Sequence, residues 1–161
     1  MTHEEILKRL NTAFPQSVVG HEEFRGDLSV VIRREDLPRV ALFLKEDADF
    51  SFDLIVDVLG IDRYGSADRF EVVYIVYSLK NKQYLRFRVT LAEEHPAVAT
   101  VTNVWPGANW YEREAYDMFG IRFEGHPDLR RMYMPEEFEY YPLRKDFPLM
   151  GIPDSLPLPR R

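Results

Sequence analysis

The densest group of reactive side chains in this sequence is Arg113, Glu114, Asp117 and His126. Glu114 and Asp117 are three residues apart, so a helix would put them on one face, with Arg113 one turn from Asp117. Two carboxylates and a histidine suit a divalent cation or acid–base chemistry. The plainer alternative is a helix-surface ion pair between Arg113 and Asp117, with His126 packed beside Pro127. That alternative is favoured: no nucleophile, phosphate cradle or second histidine accompanies the group, and Glu112 points away from Glu114. His3, His21 and His95 are scattered through polar stretches without ligand spacing. The eight glycines form neither GxGxxG nor a Walker loop. Arg86 and Arg88 read as the outward side of a strand.

The elements that must position these residues follow from hydrophobic period. Residues 4–14 carry Ile6, Leu7, Leu10 and Phe14 at helical spacing, ended by Pro15. Short β-branched runs at 17–19 and 28–32 flank a polar turn with Gly20 and Gly26. Asp36 stands where it can cap a second helix bearing Leu37, Val40, Ala41 and Leu44. Three strands follow. In 52–62, Phe52, Leu54, Val56 and Val58 alternate with Asp53, Ile55, Asp57 and Leu59; 70–79 is continuously apolar and reads as central; 84–91 turns Leu85, Phe87, Val89 and Leu91 inward. The link 80–83 predicts a hairpin. The expected fold is α+β: a two-layer αββαβββ domain over 1–108 with a mixed, mostly antiparallel sheet. Residues 109–161, forming one structural unit with it, add a helix and an extended C-terminal tail rich in Pro, Arg and aromatics. The helix spans 109–119, with Asn109 and Glu112 as a capping box and Gly120 as a left-handed terminator of positive φ.

Composition removes whole classes of function. The chain has 161 residues, enough for one domain, and no apolar run of the roughly 20 residues that a spanning helix needs. The acidic, polar N-terminus has neither signal- nor transit-peptide character. Cysteine is absent, which excludes disulfides, thiolate zinc sites and cysteine-ligated iron–sulfur clusters. A net charge of −6 argues against nucleic-acid binding, and neither part of the chain is basic. Seven of the eleven prolines lie from Pro127 onward. Their company of Phe138, Tyr140, Tyr141 and Phe147 is too apolar for an ordinary disordered end, so the tail is expected to lie on its own domain, a partner or both. Arg144 is suited to fork onto a carboxylate or backbone carbonyls in a buried interface. Its loss is expected to weaken assembly while barely changing the melting of the isolated domain.

At these residues the sequence resembles a known family. Glu112-Arg113-Glu114-Ala115-Tyr116-Asp117-Met118-Phe119-Gly120-Ile121, His126-Pro127-Asp128-Leu129-Arg130-Arg131, Met134-Pro135-Glu136 and Pro142-Leu143-Arg144-Lys145-Asp146-Phe147 match, in order, blocks of the C-subunit family of respiratory complex I. The likeness is strongest over 105–148. Tyr140 departs from a usual glycine, and Met132-Tyr133 from a pair of aliphatics. The resemblance implies a non-catalytic subunit of a membrane-bound, proton-translocating NADH:quinone oxidoreductase. It would sit in the peripheral arm, on the cytoplasmic side of a bacterial membrane, attached only through partners. FMN, iron–sulfur clusters and quinone would belong to neighbouring subunits, and this chain would hold no cofactor or metal. The chief partner implied is the large subunit that helps build the quinone site. The residues expected at that interface are Glu112, Arg113, Glu114, Asp117, Gly120, His126, Arg130, Arg131, Leu143, Arg144, Lys145 and Asp146. The alternatives are the equivalent subunit of a membrane-bound hydrogenase or other-donor dehydrogenase, and a stand-alone metal-dependent enzyme using Glu114, Asp117 and His126.

Overall fold

Thr2 starts the first helix. Its side chain accepts from the Glu5 N–H while the Glu5 carboxylate accepts from the Thr2 N–H, a reciprocal cap that the periodicity alone does not reveal. The helix, α1, spans His3–Ala13 and buries Ile6 and Leu10. The fold is that of a computed structural model describing residues 1–148. After α1 come β1 (Val18–Phe24), β2 (Asp27–Ile32), a 3-10 turn (Arg34–Asp36), α2 (Leu37–Glu46), β3 (Leu54–Asp62), β4 (Phe70–Ser78) and β5 (Gln83–Leu91). Then follow β6 (Ala97–Ala99), α3 (Ala108–Phe119) and β7 (Arg122–Glu124).

Five strands form one sheet in the order β1-β2-β5-β4-β3, antiparallel except where β2 runs parallel to β5. The sheet is therefore mixed and mostly antiparallel, as expected, and β4 and β5 form the expected hairpin. The middle strand is β5, not β4; β4 is interior and lies beside the edge strand β3. Two three-residue strands, β6 and β7, pair in parallel as a separate small sheet that the sequence reading missed. Asp36 leaves α2 without a side-chain cap, contrary to expectation; Pro38 sits in the first turn instead.

One sheet face receives all three helices. Its inward residues, among them Val30, Val58, Val72, Tyr74, Val76, Phe87 and Val89, join Ile6, Leu10, Val40, Leu44, Ala108 and Ala115 in one buried cluster. Tyr74 and Phe87 stack across the hairpin with centroids 4.9 Å apart. The opposite face carries charged pairs, Arg88 with Glu71 at 3.2 Å and Arg86 with Asp27 at 2.7 Å. Alternation in β3 is broken by a bulge between Ile55 and Asp57. Leu54 and Val58, expected on one side, therefore part company: Val58 is buried and Leu54 exposed. On the helix side, Gly60 lets α3 approach, since a Cβ there would lie 2.5 Å from the Phe119 ring.

Candidate functional site: the third helix and the segment laid across it

Trp105 anchors the approach to α3 by donating its indole N–H to the Phe52 carbonyl at 2.9 Å. The helix starts at Ala108 behind Gly107, and no side chain caps it. The expected Asn109–Glu112 box does not form because Glu112 turns inward. Its carboxyl accepts from the Val101 N–H at 2.8 Å and the Thr100 hydroxyl at 2.5 Å, and it is wholly buried. Burial pushes its pKa up to about 7, against the opposing pull of these two donors. Close by, the Tyr74 hydroxyl is buried without a hydrogen-bond partner among the described residues, and desolvation together with the Glu112 charge raises its pKa.

Asp117 is equally buried and does something different. One carboxylate oxygen accepts three successive backbone N–H groups, from Met132 at 3.0 Å, Tyr133 at 2.7 Å and Met134 at 3.0 Å. The other accepts from Arg131 at 2.9 Å. Burial works to raise the pKa of Asp117, but the three amides and Arg131 outweigh it and hold the group below the ordinary carboxylate value. Arg113 does not pair with Asp117 as expected. It donates to the carbonyls of Arg130 at 3.1 Å and Arg131 at 3.2 Å, and stacks on Trp110 at 4.9 Å. Arg131 also donates to the Tyr140 carbonyl and lies over the Phe138 and Tyr141 rings.

His126 receives the Asp128 N–H on Nδ1 at 3.0 Å, which places the proton on Nε2, 3.2 Å from the Asn109 carbonyl. Burial lowers its pKa, so it is a neutral tie between the loop and α3. Glu114 is exposed, 3.4 Å from the Tyr133 hydroxyl, and Arg130 is exposed beside Asp128. The trio Glu114, Asp117 and His126 is thus dispersed into three separate bonding tasks. Among the described residues no cluster of three potential metal ligands occurs.

Gly120 ends α3 with φ +74°, as its type and place predict. A Cβ there would lie 2.6 Å from both Arg144 Nη2 and the Tyr141 ring, so its smallness also admits the tail. Arg144 donates to the Phe119 carbonyl at 2.6 Å and is sandwiched between Tyr141 and Phe70, 4.5 and 4.8 Å from their centroids. Leu143 donates its amide to the Met118 carbonyl. The next two residues meet a pair that sequence reasoning did not single out. Asp62 and Arg69 form a two-pronged buried ion pair at 2.9 and 2.8 Å. Asp62 also accepts the Lys145 N–H at 2.8 Å, while Arg69 binds Asp146 at 2.8 Å and Glu93 at 2.6 Å. The Arg69 guanidinium holds both Asp62 and Asp146 below the usual carboxylate range. A signal existed: counting in twos from Val58 turns Asp62 toward the core, where a carboxylate needs a cation.

Up to Pro148, then, the tail lies on its own body. The remainder of the expected tail, 149–161, lies outside the described residues. Glu112 and Asp117 have no surface left to offer a partner, and Arg113 is nearly as enclosed. Arg144 ties Phe119, Tyr141 and Phe70 together, so its removal is expected to touch the isolated domain as well as any assembly.

Comparison with known proteins identifies the class to which this fold belongs. The family described as respiratory-chain NADH dehydrogenase, 30 Kd subunit, matches residues 30–153, and the chain belongs to it. It is 47% identical over 144 residues to the NADH-quinone oxidoreductase C subunit of Roseiflexus sp. (strain RS-1), covering 89% of this chain and 83% of that one. Among solved structures it resembles a trypsin-resistant fragment (1-134) of Nqo5, with 36% identity and a TM-score of 0.65 over 80% of this chain and all of that one. The fold is also shared, at 23% identity and a TM-score of 0.76, with a chain of a membrane-bound sulfane sulfur reductase, an archaeal respiratory membrane complex; the overlap is 91% of this chain and 86% of that one. No helix among the described residues is long and apolar enough to cross a membrane.

Proposed function

We propose that this chain is the non-catalytic C subunit of a proton-translocating NADH:quinone oxidoreductase, docking onto the large quinone-site subunit of the peripheral arm. FMN, iron–sulfur clusters and quinone are bound by neighbouring subunits, and the chain sits at the cytoplasmic face of the membrane through them. The observation that carries this reading is the use made of its buried charges. Asp117, Arg113, Arg131, Asp62 and Arg69 are committed to backbone groups and to each other. Such an arrangement fixes the shape of a segment and thereby preorganises a surface for assembly.

The test is to purify the tagged full chain from native membranes and identify what accompanies it by mass spectrometry, while assaying NADH:quinone activity. Recovery with a flavin-bearing NADH module and the quinone-site subunit is expected. A lone chain that binds a metal and turns over a substrate, with loss of turnover in Asp117→Asn, would overturn the reading. Recovery with hydrogenase subunits instead would assign the chain to a complex with another electron donor.

A further inference from the structure

The segment that Asp117 and Arg69 hold down presents an aromatic strip that is left exposed among the described residues. Trp110, Tyr133, Tyr140 and Leu143 are 61%, 59%, 46% and 54% exposed. Trp110 is one helical turn from Glu114, and Glu114 meets the Tyr133 hydroxyl at 3.4 Å, so the strip runs from the outer side of α3 onto the loop. Exposed Trp and Tyr grouped in this way mark association surfaces, where large rigid side chains supply contact at low entropic cost.

The charges say what covers it. Glu114 meets the strip at Tyr133, and Glu136, Glu137 and Glu139 are exposed in the loop between Tyr133 and Tyr140; among the described residues none has a cation within ion-pair distance. The nearby arginines are occupied elsewhere: Arg113 on two carbonyls, Arg131 on Asp117, Arg130 on Asp128 and Arg144 on the Phe119 carbonyl. Among the described residues that follow Glu124, Lys145 is the exposed cation without such a partner, at the far end. Carboxylates interleaved with aromatic faces complement lysines and arginines, which can pair with the former and stack on the latter. Anionic lipid and nucleic-acid phosphate are repelled by the same charges.

We propose that the strip from Trp110 to Leu143 is the docking face for a basic, lysine- and arginine-bearing surface of a neighbouring protein subunit. This rests on the subunit reading above and specifies the chemistry of the partner. The experiment compares recovery of the full chain in the assembled complex for wild type, the triple variant Glu136→Lys/Glu137→Lys/Glu139→Lys, the matching triple Gln variant and Trp110→Ala, across a range of NaCl. Each free chain is also melted. The expected result is at least tenfold lower recovery for charge reversal and for Trp110→Ala, a smaller loss for the Gln variant, and wild-type recovery falling with salt, with melting unchanged for the Glu variants and only slightly lowered for Trp110→Ala, which loses its stack on Arg113. Undiminished recovery of all three variants would sink the proposal while leaving the subunit reading intact. Failure of the wild type to enter any such complex would sink the subunit reading itself. Sedimentation of wild type with phosphatidylglycerol vesicles, or a dimer that Trp110→Ala abolishes, would assign the strip to lipid or to a second copy and overturn the proposal.

Discussion

Phe87 and Asp117 are both fully buried, yet they represent two ways of holding a chain in place. Around Phe87 the β4–β5 hairpin is fixed by apolar area: stacked Tyr74, Val72, Val89 and the helices above. Such packing tolerates sliding and substitution so long as volume is kept. Around Asp117 the loop is fixed by hydrogen bonds of defined direction, from Met132, Tyr133, Met134 and Arg131. The first region supplies stability and the second supplies shape. A segment meant to present an external surface gains from the second, because only directional contacts specify where each residue stands.

Two large substitutions test that contrast. Phe87→Ala should cost about 3–5 kcal/mol by cavity formation and lower the melting temperature of the whole chain. Asp117→Ala should cost about as much, roughly 3–5 kcal/mol, by stranding Arg131 and three amides. Its effect should be local, however: hydrogen exchange at 132–134 accelerates strongly while protection of β4 and β5 is retained. Equal loss of protection in both regions would break the comparison.

Acidity should divide the regions next. Glu112, raised from 4.5 to about 7, binds its proton more tightly when folded. Its contribution is complete below about 4.5 and is lost as pH rises to about 7, roughly 3 kcal/mol in all. Asp117, Asp62 and Asp146 are lowered, so their contribution is present above about 4 and disappears as pH falls through their folded values. Denaturant melts from pH 3 to 8 should show the body weakening toward neutrality and the tail loosening in acid. Glu112→Gln, whose amide can serve both Thr100 and Val101, should flatten the first trend and leave the second. A slope unchanged by Glu112→Gln would remove that group from the account.

Smaller effects should follow at the junction. Gly120→Val introduces a left-handed branched residue, costing about 1–2 kcal/mol, and its Cβ displaces Tyr141 and Arg144, so tryptic cleavage after Arg144 should accelerate. Arg144→Ala should cost about 1 kcal/mol through its lost bond to the Phe119 carbonyl, measurable as a modest fall in melting temperature. No change in either would mean that the tail adheres without this contact.

Much of the body was legible because periods of 2 and 3.6 report burial directly, and its helices and strands are long enough to show them. The Val56 bulge escaped because one extra residue reverses facing without altering composition. The β6–β7 pair escaped because three-residue strands carry no periodic signal. Gly120 was legible because a single residue type answers a single backbone need. Glu112 and Asp117 misled because carboxylates near a helix start or beside an arginine have common surface roles. Most of their actual partners are backbone groups, 11 residues away for Val101 and 15 to 17 for the loop, and backbone leaves no mark in sequence. The contact of Lys145 with Asp62, 83 residues back, lies further still beyond local reading.

The anchors of the tail have a consequence for how the chain comes into being. Asp62, Arg69, Asp117 and the Phe119 carbonyl all precede the segment they bind. Synthesis from the N-terminus therefore completes the template before its occupant emerges, so the later-made stretch has a finished mould to settle into. Circular permutation that moved 127–148 ahead of α1 would reverse this order, leaving that stretch waiting, uncovered, for a body not yet made.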